Sequence, residues 1–190
     1  MIQGTGPIGI LAIAAAQEMG AGRVIAVGAP ESPRLELARK FGAEATVNIE
    51  EHKTAEERIK AVRDIVGGYG ADLVMDCSGH PTAGPEGIEF LRDGGTYVEM
   101  GQFTDAGSIE TSWHRICTKD LNVLGSWAFT ANDLVKGVDM LWAARDRYPW
   151  FDMQTLFEFS EDGISRAVAD AMAMKTVKST IMPNPELAEA

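Results

Sequence analysis

The chain has 190 residues, of which 45% are hydrophobic and 24% charged, an ordinary balance for one globular domain with a small addition. A formal net charge of -11 argues against nucleic-acid partners and anionic membranes, since both require a basic surface. Two isolated cysteines, Cys77 and Cys117, exclude a disulfide framework and a four-cysteine zinc site. Without a membrane-length apolar run or a basic leader, the sequence predicts a cytoplasmic protein that contacts no membrane.

The first nine residues contain the pattern G-x-G-x-x-G at Gly4, Gly6 and Gly9. Such glycines permit a tight strand-to-helix turn whose backbone N–H groups hold a pyrophosphate. Alone the pattern is weak, because ordinary loops also contain three close glycines. Only three residues precede Gly4, whereas a central strand has about five, so we expect a first strand cut short, as in a piece of a longer chain.

The residues after the glycines supply the context that the pattern needs. Residues 8–19 carry apolar side chains on every side, which predicts a helix with one face on the sheet and the other under a further layer or domain that need not belong to this chain. Residues 23–27 form an apolar run of the length of a buried parallel strand. Together they complete a strand-helix-strand unit of nearly 30 residues, which favours cofactor binding over a plain loop.

The end of the second strand bears on the choice of nucleotide. Gly28 stands where NAD-binding sites carry an acidic residue for the ribose. The missing carboxylate favours NADP slightly over NAD, and Arg34 and Ser32 are close enough in sequence to contact a 2′-phosphate. Two alternatives stay open, namely that Arg34 is a solvated helix residue and that Glu31 contacts the ribose. Ser32 is also expected to cap a second helix, with Pro33 at its first position.

Strands and helices then alternate as far as residue 130. Apolar runs predict strands at 45–49, 72–76, 96–100 and 121–124, with Gly94 and Gly95 as a turn before the fifth strand. The expected fold is α/β, a Rossmann-type doubly wound parallel sheet of six strands in the order 3-2-1-4-5-6. Ligands bind beyond the carboxyl ends of such strands. The residues expected there for cofactor binding, together with Arg34, are Gly4, Gly6, Pro7, Ile8, Gly9, Gly28, Ala29, Cys77, Ser78, Gly79, Met100 and Gly101.

The histidines and cysteines form no recognisable ligand set, so neither a metal site nor a catalytic residue is predicted in this chain. His52 and His80 are interpreted as loop residues and His114 as a packing residue. Cys77 lies at a strand end, and we interpret it as part of the wall of the cofactor crevice rather than as a nucleophile.

The pattern changes after residue 130. A helix is predicted over 131–147, a strand over 155–159, a helix capped by Ser160 and a last strand over 178–182. We therefore expect a dinucleotide-binding domain at 1–130 and, at 131–190, a helix with a strand-helix-strand appendage and a frayed tail at 185–190.

Five segments in order resemble the nucleotide-binding half of the zinc-type medium-chain alcohol dehydrogenase family. They are G-T-G-P-I-G at 4–9, R-L-E-L-A-R-K-F-G-A at 34–43, D-C-S-G at 76–79, G-G-T-Y-V at 94–98 and K-D-L-N-V-L-G-S at 119–126. The resemblance implies binding of NAD or NADP, with Ser126 near the nicotinamide amide. It also implies hydride transfer between an alcohol or polyol and nicotinamide in a full enzyme, whose zinc lies in a catalytic domain outside this chain.

Partners and alternatives follow from the same resemblance. The sixth strand would be an exposed sheet edge, and the family pairs there, so a homodimer through residues 109–127 is expected. The chain alone is expected to be inactive. A non-catalytic dinucleotide-binding or dimerisation module and a zinc-free member resembling quinone reductases stay open. A methyl-transfer fold is disfavoured by the spacing of Gly9.

Overall fold

A computed structural model describes residues 1–184 and contains the predicted parallel sheet of six strands in the order β3-β2-β1-β4-β5-β6. The predicted tail at 185–190 lies outside the described residues. The elements of the first part are β1 (Ile2–Gln3), α1 (Pro7–Glu18), β2 (Ile25–Gly28), α2 (Glu36–Lys40), β3 (Ala45–Asn48), α3 (Ala55–Ile65), β4 (Ala71–Asp76), α4 (Ala83–Phe90), β5 (Leu91–Glu99), α5 (Trp113–Thr118) and β6 (Asn122–Gly125). They are followed by α6 (Ala131–Ala143), β7 (Gln154–Glu158), α7 (Glu161–Met172) and β8 (Lys178–Met182).

Helices cover both faces of the sheet, because each strand alternates its side chains between two apolar layers. On one face Ile10 and Ile13 of α1 and Phe41 pack with Ile2 and Val24. The residues packed on the other face are Val62, Phe90, Val27, Val74 and Tyr97. The strand ends that carry the predicted site are thus held between two cores.

The predicted helix α1 is only partly buried. Ile10 and Ile13 are fully buried, but Ile8 is 50% and Leu11 37% exposed. This outer stripe is the face expected to meet a further layer or domain, and no described residue covers it enough to bury it.

Two local predictions also differ from the structure. Ser32 has the extended backbone of an N-cap residue (φ -112°, ψ 133°), but its hydroxyl donates to the Glu36 carboxylate at 3.0 Å, and the described residues include no backbone N–H that donates to it. Gly94 and Gly95 lie inside β5 rather than before it. There the pairing with β4 shifts between Ala71 and Leu73, since a φ of +71° at Gly94 interrupts the regular strand.

The C-terminal part forms the predicted strand-helix-strand appendage, in which β7 and β8 pair in parallel beside α7. It is joined to the sheet domain through stacking of Phe41 with Tyr148 and Trp150 and through an ion pair between Lys40 and Asp152 at 2.9 Å. The domain boundary at residue 130 stays a prediction. No helix within residues 1–184 has both the length and the apolar character to cross a membrane.

Candidate functional site

A cavity of about 480 Å³ lies at the carboxyl ends of β1, β2 and β4, where the order of strands reverses. Its walls include seven of the predicted residues, namely Gly4, Gly6, Gly28, Ala29, Arg34, Cys77 and Ser78. Pro7, Ile8 and Gly9 lie in the first turn of α1. Gly79, Met100 and Gly101 follow β4 and β5 without lining the cavity, and Ser126 is an exposed residue after β6.

The glycine turn is tight at two of its three glycines. Gly4 has a φ of +93°, and a Cβ there would lie 2.8 Å from the backbone of Ser78. A Cβ on Gly9 would lie 1.9 Å from the Gly4 carbonyl oxygen, so α1 approaches the turn closely only because residue 9 is glycine. Gly6 has no heavy atom within 4 Å of its Cβ position, which leaves space on the crevice side.

The amino end of α1 is open to an anion. Gly6 is the N-cap and Pro7 the first helical residue, and no side chain caps the helix. The N–H groups of Ile8 and Gly9 have no acceptor four residues back within the helix, and the helix dipole places partial positive charge there. Because these groups adjoin the open face of Gly6, the turn matches the geometry that binds a pyrophosphate.

Two cationic side chains lie in the cavity wall beside β2. Arg34 and Lys53 line it, and Arg34 donates to the Thr176 carbonyl from Nε at 3.4 Å and from Nη2 at 3.2 Å. Burial lowers the pKa of Arg34 from its ordinary value, although a guanidinium stays charged at neutral pH. These two groups give positive charge to one end of a cavity in a chain of net charge -11.

A third cation in the wall is already neutralised. Arg58 donates to both carboxylate oxygens of Glu86, from Nε at 2.7 Å and from Nη2 at 2.5 Å. The hydrogen bonds with Glu86 raise the pKa of Arg58. Its remaining amino group donates at 2.9 Å to the carbonyls of His52 and Lys53, so Arg58 ties α3, α4 and this loop together.

Gly28 has a packing role that the sequence did not reveal. A Cβ at this position would lie 2.3 Å from Oγ1 of Thr5, inside the glycine turn. An acidic residue at the end of β2 would therefore collide with Thr5 in its present position. The glycine keeps β2 in contact with the turn as well as leaving the ribose position without a carboxylate.

The Cys77 thiol is a wall of the crevice with little nucleophilic character. Its Sγ lies 3.7 Å from Sδ of Met100, and burial, with the charges of Asp76 and Glu99 adding, raises its pKa to about 12. The thiol is therefore neutral at physiological pH. Within the described residues no group of three or more His, Cys, Asp or Glu side chains could hold a metal ion.

The residues of the cavity wall that sequence reasoning missed include Lys53, Arg58, Glu86 and Met174. They come from a loop, from two helices and from the turn before β8, and none belongs to a local motif. The one available signal was the capping box that opens α3 at Thr54, since it fixes the loop immediately before that helix.

The fold and the crevice define a doubly wound nucleotide-binding domain, and comparison with known proteins gives its family. Residues 7–143 match the family described as zinc-binding dehydrogenase. The chain is 41% identical over 128 residues to erythritol/L-threitol dehydrogenase of Mycolicibacterium smegmatis, covering 66% of this chain and 33% of that protein. It is 31% identical over 182 residues to 5-exo-hydroxycamphor dehydrogenase of Pseudomonas putida, covering 95% and 49%.

A solved structure agrees with these relatives. The crystal structure of an alcohol dehydrogenase from Thermotoga maritima superposes with a TM-score of 0.82 at 28% identity, covering 96% of this chain and 49% of that one. The chain therefore belongs to the zinc-binding dehydrogenase family. It spans between a third and a half of the length of the curated relatives it matches.

Proposed function

We propose that this chain provides the dinucleotide site of a zinc-type alcohol or polyol dehydrogenase. The observation that carries the proposal is the glycine turn: Gly4 and Gly9 bring α1 against the end of β1, and Gly6 leaves the amino end of α1 open. The residues present fit a pyrophosphate, because backbone N–H groups and a helix dipole face a cavity lined by other strand ends.

The bound nicotinamide would supply the hydride chemistry of the full enzyme. This chain's residues bind and orient it. The turn at 4–9 holds the phosphates, Gly28, Ala29 and Arg34 receive the adenosine end, and Cys77 and Ser78 form the wall on the β4 side. We place the zinc and the alcohol pocket in the part of the relatives' length that this chain does not span, and the enzyme in the cytoplasm.

Calorimetric titration of the chain with NADPH and NADH tests this proposal. We expect one of them to bind with a dissociation constant in the micromolar to millimolar range, which is ordinary for such cofactor sites. Binding of neither would refute the cofactor role and leave the alternative of a structural or dimerisation module.

We propose a preference for NADP, supported by the cations Arg34 and Lys53 and by the absence of a carboxylate at Gly28. Lys53→Ala and Arg34→Ala should each weaken NADPH binding about tenfold and NADH binding much less, since only NADPH carries the 2′-phosphate. Arg39→Ala is the matched control, because Arg39 is exposed and pairs with Glu31 rather than lining the cavity. Equal losses for both nucleotides in the two cavity variants would contradict the preference.

Gly28→Asp is the substitution that the sequence suggests for the same question. The structure makes it a poor test, because a side chain there meets Thr5 at 2.3 Å. Gly28→Asp should weaken the binding of both nucleotides by distorting the turn, whatever the position of the 2′-phosphate.

We also propose that the chain forms a homodimer through residues 109–127. Strand β6 is the last strand of the sheet, and Val123 and Leu124 on it are 46% and 54% exposed. Trp113 on α5 and Trp127 after β6 are 75% and 76% exposed and extend this apolar edge. Sedimentation velocity should show a dimer that Leu124→Lys converts to monomer, and a monomeric parent chain would refute the interface.

A further inference from the structure

A row of polar side chains crosses three neighbouring strand ends under α4. Gln3 on β1 is the register partner of Asp76 on β4, and Asp76 is the register partner of Glu99 on β5. Register partners in a parallel sheet point to the same face, so the three side chains lie side by side. Asp76 is 0% exposed and Gln3 is 3% exposed, which makes this a buried polar row in a face otherwise filled by apolar side chains.

Each carboxyl group of the row holds the loop that follows its own strand. Oδ1 of Asp76 accepts hydrogen bonds from the backbone N–H of Ser78 at 2.7 Å and from its hydroxyl at 2.6 Å. Oε1 of Glu99 accepts from the N–H groups of Gly101 at 2.9 Å and Gln102 at 3.1 Å. The loops 77–79 and 100–102 are therefore fixed by two acidic groups in equivalent positions.

These two loops touch each other and the glycine turn. A Cβ on Gly79 would lie 2.6 Å from the Gly101 carbonyl oxygen, and one on Gly101 would lie 2.5 Å from the Gly79 nitrogen. The backbone of Ser78 is in turn 2.8 Å from the Cβ position of Gly4. A movement of either acidic group is thus transmitted through backbone contacts to the wall that faces the phosphate cradle.

Two carboxylates at adjacent positions, one buried at Asp76 and one half-buried at Glu99, repel when both are ionised. Oδ2 of Asp76 has no hydrogen-bond partner among the described residues, and it lies 2.8 Å from the Cβ position of Gly101. Burial first, and then the charge of Asp76, raises the pKa of Glu99. Tyr97 donates to Oε2 of Glu99 at 3.1 Å and stays neutral, since burial raises its pKa far above the physiological range.

The other charged or titratable groups around Glu99 do not balance the pair. On β4 the Cys77 thiol is neutral at physiological pH. On α4 the two glutamates are engaged by arginines, Glu86 by Arg58 and Glu89 by Arg115. The charge state of the row is therefore decided by Asp76 and Glu99 themselves.

We propose that Asp76 and Glu99 are positioning residues of the dinucleotide crevice, and that Glu99 carries a proton when the loops 77–79 and 100–102 are closed against each other. The inference rests on the proposed function, because the crevice is what the loops position. Loss of the proton puts two negative charges at neighbouring strand ends, separates the loops and draws Ser78 away from Gly4. Dinucleotide binding therefore weakens as Glu99 ionises.

An NMR pH titration of the chain without any nucleotide tests the pair directly. The amide signals of Gly101 and Ser78 should move with a common midpoint, although they belong to different loops. Asp76→Asn should shift that midpoint to lower pH by removing the like charge, and Glu99→Gln should abolish the movement at both amides. Separate midpoints, or an unchanged midpoint in Asp76→Asn, would overturn the proposal. If Asp76→Asn does not fold, Tyr97→Phe replaces it. Loss of the donor to Glu99 should raise the midpoint at both amides together, and a midpoint that moves at Gly101 but not at Ser78 would contradict the coupling of the two loops.

Calorimetric titration with NADH from pH 5 to 8 tests the effect on the crevice, because the pKa of Glu99 is raised from the ordinary value of a glutamate. NADH is the probe because it lacks the 2′-phosphate, whose own ionisation near pH 6 would confuse the result. The affinity of the parent chain should fall roughly fivefold across this range, an ordinary coupling between two sites, and that of Glu99→Gln should stay constant. Parallel pH profiles in the two proteins would overturn the positioning role. If the parent chain binds neither NADH nor NADPH at any pH, the proposed function fails, and the nucleotide-free titration still decides whether ionisation of Glu99 moves both loops.

Discussion

Replacing the glycines of the turn one at a time separates the fold of the turn from its ligand. Gly9→Ala places a methyl group 1.9 Å from the Gly4 carbonyl oxygen, and real contacts of this kind stay above 3.0 Å, so α1 must move away by about 1 Å. Overpacking against rigid backbone costs about 3 kcal/mol, and the better helix propensity of alanine offsets about 1 kcal/mol of it. The net loss of about 2 kcal/mol should lower the melting temperature by about 4–8 °C.

Gly6→Ala is the matched variant, because its new methyl group meets no protein atom within 4 Å and its φ of -76° suits alanine. The unfolding free energy should change by less than about 0.5 kcal/mol. Dinucleotide affinity should nevertheless fall at least about tenfold, since the methyl group occupies the space in which a pyrophosphate approaches the backbone.

Thermal unfolding followed by circular dichroism, with calorimetric titration of NADPH and NADH, checks both variants. A Gly6→Ala protein that binds as tightly as its parent would refute the placement of the phosphates. A Gly9→Ala protein that melts like its parent would refute the close approach of α1 to the turn.

Other predictions concern buried charges. Arg58→Ala should destabilise the chain by about 3–5 kcal/mol in urea unfolding, because it leaves Glu86 buried without a partner, and the double variant Arg58→Met with Glu86→Leu should recover most of the loss. Lys119→Met should cost about 1–3 kcal/mol, since Lys119 is 6% exposed and donates to the Ile88 carbonyl at 2.7 Å. A change below about 0.5 kcal/mol, which is ordinary for surface substitutions, would contradict this contact. Burial lowers the pKa of the Met1 ammonium from 8.0 to about 6, so the unfolded chain binds more protons between these values and stability should rise by about 2–3 kcal/mol as the pH increases from 6 to 8. Acetylation of the amino terminus should remove that rise, and an identical pH profile after acetylation would show that another group causes it.

The order of the sheet could be predicted from the sequence because its signals are local. Each buried strand is a short apolar run, and glycines mark most of the strand ends. The exposed fraction of the outer stripe of α1 and the hydrogen bond of the Ser32 hydroxyl could not be predicted, since they depend on what packs nearby. Ile8 and Leu11 are as apolar as Ile10 and Ile13, and only the tertiary arrangement leaves them exposed.

The candidate site, like the fold, could be predicted from the sequence only in part. The glycine turn and the strand-end residues belong to contiguous motifs, and the structure brings seven of them to one cavity. Lys53 and the pair of Arg58 with Glu86 could not be predicted, because the partners lie 28 positions apart and meet only once α3 packs beside α4. The row formed by Gln3, Asp76 and Glu99 depends on strand register, which sequence patterns do not specify to the single residue.

In the proposed site, a dinucleotide lies on the glycine turn at the amino end of α1. Amide chemical-shift mapping of the chain during titration with NADPH and NADH tests it most directly. The largest chemical-shift changes should occur at the N–H groups of Gly6, Ile8 and Gly9, with smaller changes at Ser78 across the crevice. Saturable binding that leaves these amides unchanged and moves signals elsewhere, for example on α6, would contradict it.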